Sequence, residues 1–137
     1  MIKSRYGDDA LQTACLKGAT QIFEYLIKNI QYSRSRVAEA HELMGSTFLD
    51  EHYDLQAALH NWRTALKLRA EDECLLKPNN VSPKPAYLNA TEFQTLEELE
   101  NFSMDLDSMR IQSLIICERI LGPLHKDVIF RLMFRGI

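Results

Sequence analysis

The hydrophobic and polar positions between Val37 and Arg69 follow two helical periods in succession. Apolar residues recur at intervals of three and four in each stretch: Val37, Ala40, Met44 and Phe48 in the first, and Leu55, Ala58, Leu59, Trp62, Ala65 and Leu66 in the second. Such spacing places the apolar side chains on one face of an α-helix. The polar run 50–53 between the stretches predicts a turn. The sequence therefore predicts two amphipathic helices, the second capped by Asp54.

Small residues lie where these two helices are expected to cross. Gly45, Ala58 and Ala65 let two backbones approach closely, while Phe48 and Trp62 fill the space beside them. This combination resembles a tetratricopeptide repeat, which is a hairpin of two helices. We therefore interpret residues 33–69 as a tetratricopeptide-like hairpin.

Residues 8–32 show a shorter pattern of two helices around Gly18. Leu11 and Ala14 match the usual opening of an ankyrin repeat, Thr-Pro-Leu-His-x-Ala, and Gly18 stands where the helix end commonly requires positive φ. No Pro or Gly marks a linker before the hairpin at 33–69. The segment predicts one ankyrin-like repeat, the end of an array, packed against that hairpin.

Residues 70–94 interrupt the helical pattern, and residues 95–137 resume it. Pro78, Pro83 and Pro85 remove backbone donors and disfavour helix, so an extended proline-bearing insertion is expected. After it, a capping-box pattern predicts a short helix, followed by an apolar helix and a third helix. Thr95 and Glu98 form the capping-box pattern of the short helix. The run 108–121 predicts the apolar helix, and the apolar residues from Val128 predict the third.

The fold class predicted from these segments is all-α. It is a helical-hairpin solenoid in which one ankyrin-like repeat is followed by tetratricopeptide-like repeats, the last of them truncated near Arg135-Gly136.

Composition and charge exclude several classes of protein. With 46% hydrophobic and 26% charged residues the chain has the composition of an ordinary folded domain. A net charge of -3 disfavours nucleic-acid and acidic-membrane surfaces. No apolar run approaches the roughly 18 residues of a membrane span, and the first residues do not read as a signal peptide. Three cysteines without close spacing suit a reducing compartment, the cytosol or the nucleus.

The candidates for catalysis are weak. His41 begins like the helical zinc-protease motif, but no second histidine follows four residues later. His41, His52 and His60 are expected to lie apart, on different faces of the hairpin and in its turn. Cys117 lies within an apolar helix without a nearby histidine. We therefore predict no enzymatic activity, no cofactor and no metal, with a histidine-based metalloenzyme as one alternative.

Two blocks of sequence resemble the feminization (Fem) family. The first joins residues 38–48 to residues 62–65, and the second covers residues 107–125. The second block also resembles kinesin light-chain repeats, but the order of ankyrin repeat, hairpin, insertion and Leu-Gly-x-x-His block is that of the Fem family. Lys126 takes the place of a proline in that family, which leaves Asp127 as the expected cap of the following helix.

The resemblance implies a non-catalytic adaptor. Fem proteins are substrate receptors of cullin-RING ubiquitin ligases, and their ankyrin repeats hold the C-terminal degrons of target proteins, typically a terminal arginine. The implied partners are such proteins, together with the elongin pair and a cullin through regions expected to lie outside this sequence. The implied location is cytoplasmic and also nuclear. A general tetratricopeptide scaffold that binds peptide motifs of cargo or partner proteins is the alternative.

The first helix of a tetratricopeptide hairpin binds partners through its outward positions. Counted from Gly45, these positions are Glu39, Glu42, Ser46 and Leu49. The two carboxylates are expected to pair with a basic peptide. Ordinary solvated surface is the alternative interpretation of all four residues.

Overall fold

The computed structural model describes residues 10–71, 92–122 and 125–134, and every regular element in these ranges is an α-helix. The helices are α1 (Ala10–Lys17), α2 (Thr20–Asn29), α3 (Arg34–Asp50), α4 (Leu55–Ala70), α5 (Leu96–Phe102), α6 (Leu106–Leu121) and α7 (Lys126–Phe134). They belong to two compact units, one with α1 to α4 and one with α5 to α7. The predicted all-α fold class is therefore confirmed.

The predicted division into repeats is untested. The helices α1 to α4 fall within the two repeats predicted for the first half of the chain, but the assignment to ankyrin and tetratricopeptide types stays a prediction. Most of the predicted insertion, residues 72–91, and the predicted start of a further repeat, residues 135–137, lie outside the described residues.

The close crossing of α3 and α4 is confirmed. A Cβ atom added at Gly45 would lie 2.5 Å from Trp62 Cδ1 and 3.0 Å from the backbone oxygen of Ala58. The side chains of Trp62, Ala58 and Ala65 are fully buried. The indole Nε1 of Trp62 donates a hydrogen bond of 3.0 Å to the backbone oxygen of Glu42. Small residues therefore allow the two helices to approach closely, and the hydrogen bond of the indole joins α4 to α3.

Side chains cap the starts of α4 and α5 as predicted. Asp54 Oδ1 accepts a hydrogen bond of 3.0 Å from the backbone N–H of Ala57. Thr95 Oγ1 accepts one of 3.1 Å from the N–H of Glu98. The Glu98 carboxylate in turn accepts from the N–H of Gln94 at 3.3 Å. The bonds to Asp54 and Thr95 satisfy backbone donors that the first helical turn leaves without a partner, and the third satisfies a donor just before α5.

The helix α6 begins two residues earlier than predicted, at Leu106. Asp105 is its cap: one carboxylate oxygen accepts from the N–H of Asp107 at 3.0 Å and the other from the hydroxyl of Ser108 at 2.9 Å. The helix starts in an acidic run, because aspartate is favoured at the N-terminal end of a helix.

The prediction that Asp127 caps α7 is wrong. The helix begins at Lys126, so Asp127 lies in its first turn. The imidazole Nδ1 of His125 accepts a hydrogen bond of 3.1 Å from the N–H of Asp127. The histidine of the Leu-Gly-x-x-His block therefore performs the capping role that the sequence assigned to the carboxylate.

The second unit is organised around α6, whose apolar residues are buried on several sides: Met109, Ile111, Leu114, Ile115, Ile116 and Cys117. Arg119 binds Glu92 through two hydrogen bonds, of 2.7 and 2.9 Å. The N–H of the buried Phe93 donates to Gln112 Oε1 at 2.9 Å. These contacts hold the segment before α5 against α6. On α7, Ile129, Phe130 and Met133 are exposed, whereas Val128 is buried.

No described helix is both long and apolar enough to cross a membrane.

Gly18 connects α1 to α2 with a φ of +65°, which residues with a Cβ rarely adopt. A Cβ at this position would also lie 2.6 Å from Nε2 of His52, in the turn between α3 and α4. We expect Gly18→Ala to lower the free energy of unfolding by about 1–2 kcal/mol through the backbone term alone. The contact with His52 should add to this loss.

Urea unfolding followed by fluorescence measures this effect in the first unit, because Trp62 is the chain's single tryptophan. The variant His52→Ala is the control background, since it removes the contact and leaves the backbone strain. An equal effect of Gly18→Ala in both backgrounds would show that the contact does not matter. A Gly18→Ala variant that is as stable as the wild-type chain would also contradict the expected backbone strain.

Candidate partner-binding surface of the first unit

The prediction that Glu42, Ser46 and Leu49 face outward is wrong. Glu42 and Ser46 are 0% exposed and Leu49 is 2% exposed. Glu39 is partly exposed, and its contact with a partner stays a prediction. The row of residues chosen by counting from Gly45 therefore belongs largely to the packed interior.

A buried ion pair explains the position of Glu42. Arg69 Nε donates to one oxygen of the Glu42 carboxylate at 3.0 Å, and Nη2 donates to the other at 2.9 Å. The Arg69 side chain is only 6% exposed. This bidentate pair joins the middle of α3 to the end of α4, so the carboxylate is engaged within the chain and does not present its charge to a basic peptide.

Ser46 is buried without a hydrogen-bond partner for its hydroxyl among the described residues. A serine within a helix usually bonds to the carbonyl four residues earlier. That carbonyl, on Glu42, accepts from the Trp62 indole. The burial of Ser46 is therefore explained by its small size, which lets it pack inside the first unit as part of α3.

A cleft lies between α2 and the α3–α4 hairpin, with a volume of about 410 Å³. Ligand-binding clefts in proteins typically have volumes of about 300–1,000 Å³ and mostly apolar linings with a few polar groups. Apolar residues line this cleft from all three helices: Phe23, Ile27, Met44, Phe48 and Ala57. The polar residues that line it are Thr20, Glu24, Lys28, His41, His60 and Asn61.

The polar centre of the cleft is the pair His41 and Asn61. Nδ1 of His41 lies 2.9 Å from Oδ1 of Asn61, while Nδ2 of Asn61 donates to the backbone oxygen of Ala57 at 2.9 Å. Because the amide oxygen can only accept, Nδ1 of His41 carries the proton of the neutral ring. The other ring nitrogen, Nε2, is then a hydrogen-bond acceptor.

The surroundings of His41 favour its neutral form. Burial lowers the pKa of His41 below its ordinary value of 6.5, and nearby His60 acts in the same direction. The hydrogen bond to Asn61 and the charge of Glu42 oppose this shift without reversing it. The imidazole also packs against the ring of Phe23 in a T-shaped arrangement, with ring centroids 5.1 Å apart.

We expect the first unit to lose stability as the pH falls below about 6.5. Because the pKa of His41 is lowered by folding, the unfolded chain binds this proton more readily than the folded chain does. The contribution is therefore present above the ordinary pKa and is lost progressively as the pH falls towards the lowered value. Urea unfolding at a series of pH values, followed by Trp62 fluorescence, measures it.

The matched variant for this prediction is His41→Phe, which keeps a ring beside Phe23 and does not titrate. Its unfolding free energy should depend less steeply on pH in this range than that of the wild-type chain. Identical slopes for the two proteins would contradict the assignment of the titration to His41.

The expectation that the three histidines lie apart is correct for one of them. His52 lies in the turn after α3, where its ring centroid is 5.5 Å from that of Phe48. His41 and His60 line the same cleft, contrary to the prediction. Within residues 10–71, 92–122 and 125–134, no three His, Cys, Asp or Glu residues are grouped as metal ligands would be.

The thiols that the structure describes are buried. Burial raises the pKa of Cys15 to about 12, and its Sγ–H donates to the backbone oxygen of Ala40 at 3.3 Å. Cys15 is therefore protonated at neutral pH, in the form that is not nucleophilic. Cys117 is buried in α6, and Cys74 lies outside the described residues.

Comparison with known proteins places the chain among a group of related sequences. It is 39% identical over 137 residues to protein fem-1 homolog C of Danio rerio and 41% identical over 138 residues to that of Xenopus laevis, and each match covers 99% of this chain and 22% of the relative. A fem-1 homolog of Drosophila melanogaster is 42% identical over 131 residues, covering 96% of this chain and 20% of the relative. No family model matches the chain.

The chain thus spans about a fifth of the length of the curated relatives that it matches. Within that span the alignment extends over 99% of this chain, with 39–41% of the aligned residues identical. The resemblance predicted from two blocks of sequence is therefore confirmed over the whole chain. By sequence, the chain belongs to the Fem-1 family.

Proposed function

We propose that this chain is part of a substrate-recognition adaptor of a cullin-RING E3 ubiquitin ligase, which selects proteins by a C-terminal degron. The observation that carries the proposal is its relationship to Fem-1 proteins across 99% of its length. Membership of that family and the helical hairpins identify a protein-interaction segment. The finer role is inferred from the family resemblance alone.

To such an adaptor the chain contributes a folded helical unit and a surface that a partner can bind. The first unit has a core fixed by Trp62, Gly45 and the Glu42–Arg69 pair, and it also has the open cleft beside α2. We assign no residue of this chain to the degron itself. Binding of the elongin pair and a cullin is proposed for other parts of a full-length receptor, in the cytoplasm and the nucleus.

The proposal is tested by exchanging segments between related proteins. The corresponding segment of Danio rerio fem-1 homolog C is replaced by this chain, and the chimera is purified from cells. We expect it to co-purify with the elongin pair and a cullin, and we expect the 137-residue chain alone not to do so. A chimera that is folded but fails to recover the elongin pair would contradict the proposed role.

A general peptide-binding scaffold is a second candidate function, and the cleft of the first unit favours it. Binding of short peptides to the isolated chain distinguishes it from the first proposal. A scaffold of this kind binds them whether or not the chimera assembles with a ligase.

A further inference from the structure

We propose that the cleft between α2 and the α3–α4 hairpin binds an aromatic side chain of a partner protein whose ring carries a hydrogen-bond donor, as those of tryptophan and tyrosine do. This inference rests only on the conclusion that the chain is a protein-interaction segment, and it names a surface and the chemistry of its partner. It does not depend on the ligase assignment.

The size of the cleft selects a single large side chain. Its volume of about 410 Å³ is near the lower end of the range for ligand-binding clefts. Tryptophan and tyrosine bury about 150–250 Å² each and carry much of the binding energy at protein interfaces. A cleft of this volume accommodates one such side chain, so the partner inserts a single anchoring residue.

The walls of the cleft suit a flat ring. Phe23 is buried and contributes an aromatic surface from α2, and Phe48 contributes a half-buried ring from α3. Met44 is 1% exposed and also lines the cleft, as a polarizable side chain that adapts to the shape of a ligand. Ile27 is half-buried and lies on the α2 side.

The hydrogen-bonding groups of the cleft call for a donor on the ligand. The amide oxygen of Asn61 accepts a hydrogen bond from His41, and its amide nitrogen donates one to the backbone oxygen of Ala57. In the neutral ring of His41, Nδ1 is the donor to Asn61 and Nε2 is left as an acceptor. An indole N–H or a phenol O–H satisfies that acceptor, whereas phenylalanine or leucine leaves it without a protein partner.

The charges around the cleft do not favour an ionic ligand. Glu24 and Lys28 line it from α2 and oppose each other in sign. His60 lines it from α4, whereas the Glu42 carboxylate does not line it and is paired with Arg69. An uncharged ring therefore fits this site better than the side chain of arginine or aspartate does.

The test uses the full 137-residue chain and N-acetyl-tryptophanamide as the probe. The methyl group of Met44, labelled with ¹³C, reports occupation of the cleft in a heteronuclear NMR titration. We expect saturable shifts with a Kd on the order of 1 mM, as befits a ligand of this size. N-acetyl-1-methyltryptophanamide lacks the N–H donor and should bind about two- to tenfold more weakly, since one hydrogen bond is lost.

Three variants locate the site. Ile27→Glu places a carboxylate in the cleft and should weaken the probe's binding at least about tenfold, because a charge is costly to desolvate. Ile22→Glu makes the same change on α2 at a residue that is 57% exposed and does not line the cleft, and it should leave binding unchanged. His41→Phe removes the acceptor, so the two probes should bind it equally well.

Absence of saturable shifts, or equal binding of both probes to the wild-type chain, would overturn the proposal. Equal effects of Ile27→Glu and Ile22→Glu would also overturn it. Unfolding curves followed by Trp62 fluorescence establish that each variant is folded. The titration contains no ligase component, so its failure is distinguishable from failure of the chimera to bind the elongin pair.

Discussion

Replacement of Glu42 by Gln or of Arg69 by Met is expected to lower the free energy of unfolding of the first unit by about 3–5 kcal/mol. Both side chains are almost fully buried, and two hydrogen bonds join the guanidinium to the carboxylate. Removal of one partner leaves the other as a buried charge that has lost the two hydrogen bonds and the opposite charge of this pair. This loss is far larger than that of an exposed ion pair, which typically contributes up to about 1 kcal/mol.

Urea unfolding followed by Trp62 fluorescence measures the loss. The double variant Glu42→Met with Arg69→Met is the control, because two apolar side chains of similar length leave no buried charge. It should recover most of the stability that each single variant loses. If the single variants lose less than about 1 kcal/mol, the pair is solvated and Glu42 is again available to a partner.

The second large effect is expected at the crossing of α3 and α4. Trp62→Ala should destabilise the first unit by about 3–5 kcal/mol, because it leaves a cavity and removes the hydrogen bond to Glu42. Hydrogen exchange of α3 and α4 measures this without the fluorescent residue. Protection there should fall by about two to four orders of magnitude.

A double-variant cycle tests whether Gly45 and Trp62 act as one contact. In the wild-type chain, Gly45→Ala should cost about 1–3 kcal/mol, because the new Cβ overlaps the indole. In the Trp62→Ala background that overlap is absent, and the helix-forming preference of alanine over glycine should offset any remaining cost by about 1 kcal/mol. Equal costs in both backgrounds would show that the backbone oxygen of Ala58, and not the indole, limits the space at Gly45.

The features predicted correctly from the sequence depend on short spacings or on a recurrent repeat pattern. Asp54 and Thr95 cap their helices through residues three positions later. Gly45 contacts Trp62 because both belong to the recurrent pattern of one hairpin. Turn chemistry identifies the first kind of contact, and the repeat pattern identifies the second.

The features that were predicted wrongly depend on distant partners. Glu42 is buried because Arg69, 27 positions away, reaches its carboxylate, and His41 is fixed by Asn61, 20 positions away. A charged residue on an amphipathic helix is usually solvated, and no sequence signal here marked it as paired. Both pairings depend on the rotation of α3 and α4 about their axes, which the spacing of apolar residues constrains only loosely.

The candidate surface in the structure also differs from the predicted one for a physical reason. The sequence placed it on one row of α3, whereas the cleft needs α2 to lie beside the hairpin so that Phe23 and Ile27 form one wall. No local pattern connects these residues to Met44. The presence of a short apolar helix at 20–29 was the available signal, and it indicated a repeat rather than a binding wall.

The claim that this chain works within a Fem-1 receptor is tested most directly by the half-life of a reporter protein that ends in arginine. The half-life is measured in cells that lack their own receptor and carry the chimera of Danio rerio fem-1 homolog C with this chain. We predict that the reporter is degraded as fast as with the unmodified receptor. A reporter that stays as stable as in cells without any receptor, although the chimera is folded and retains the elongin pair, would contradict the account.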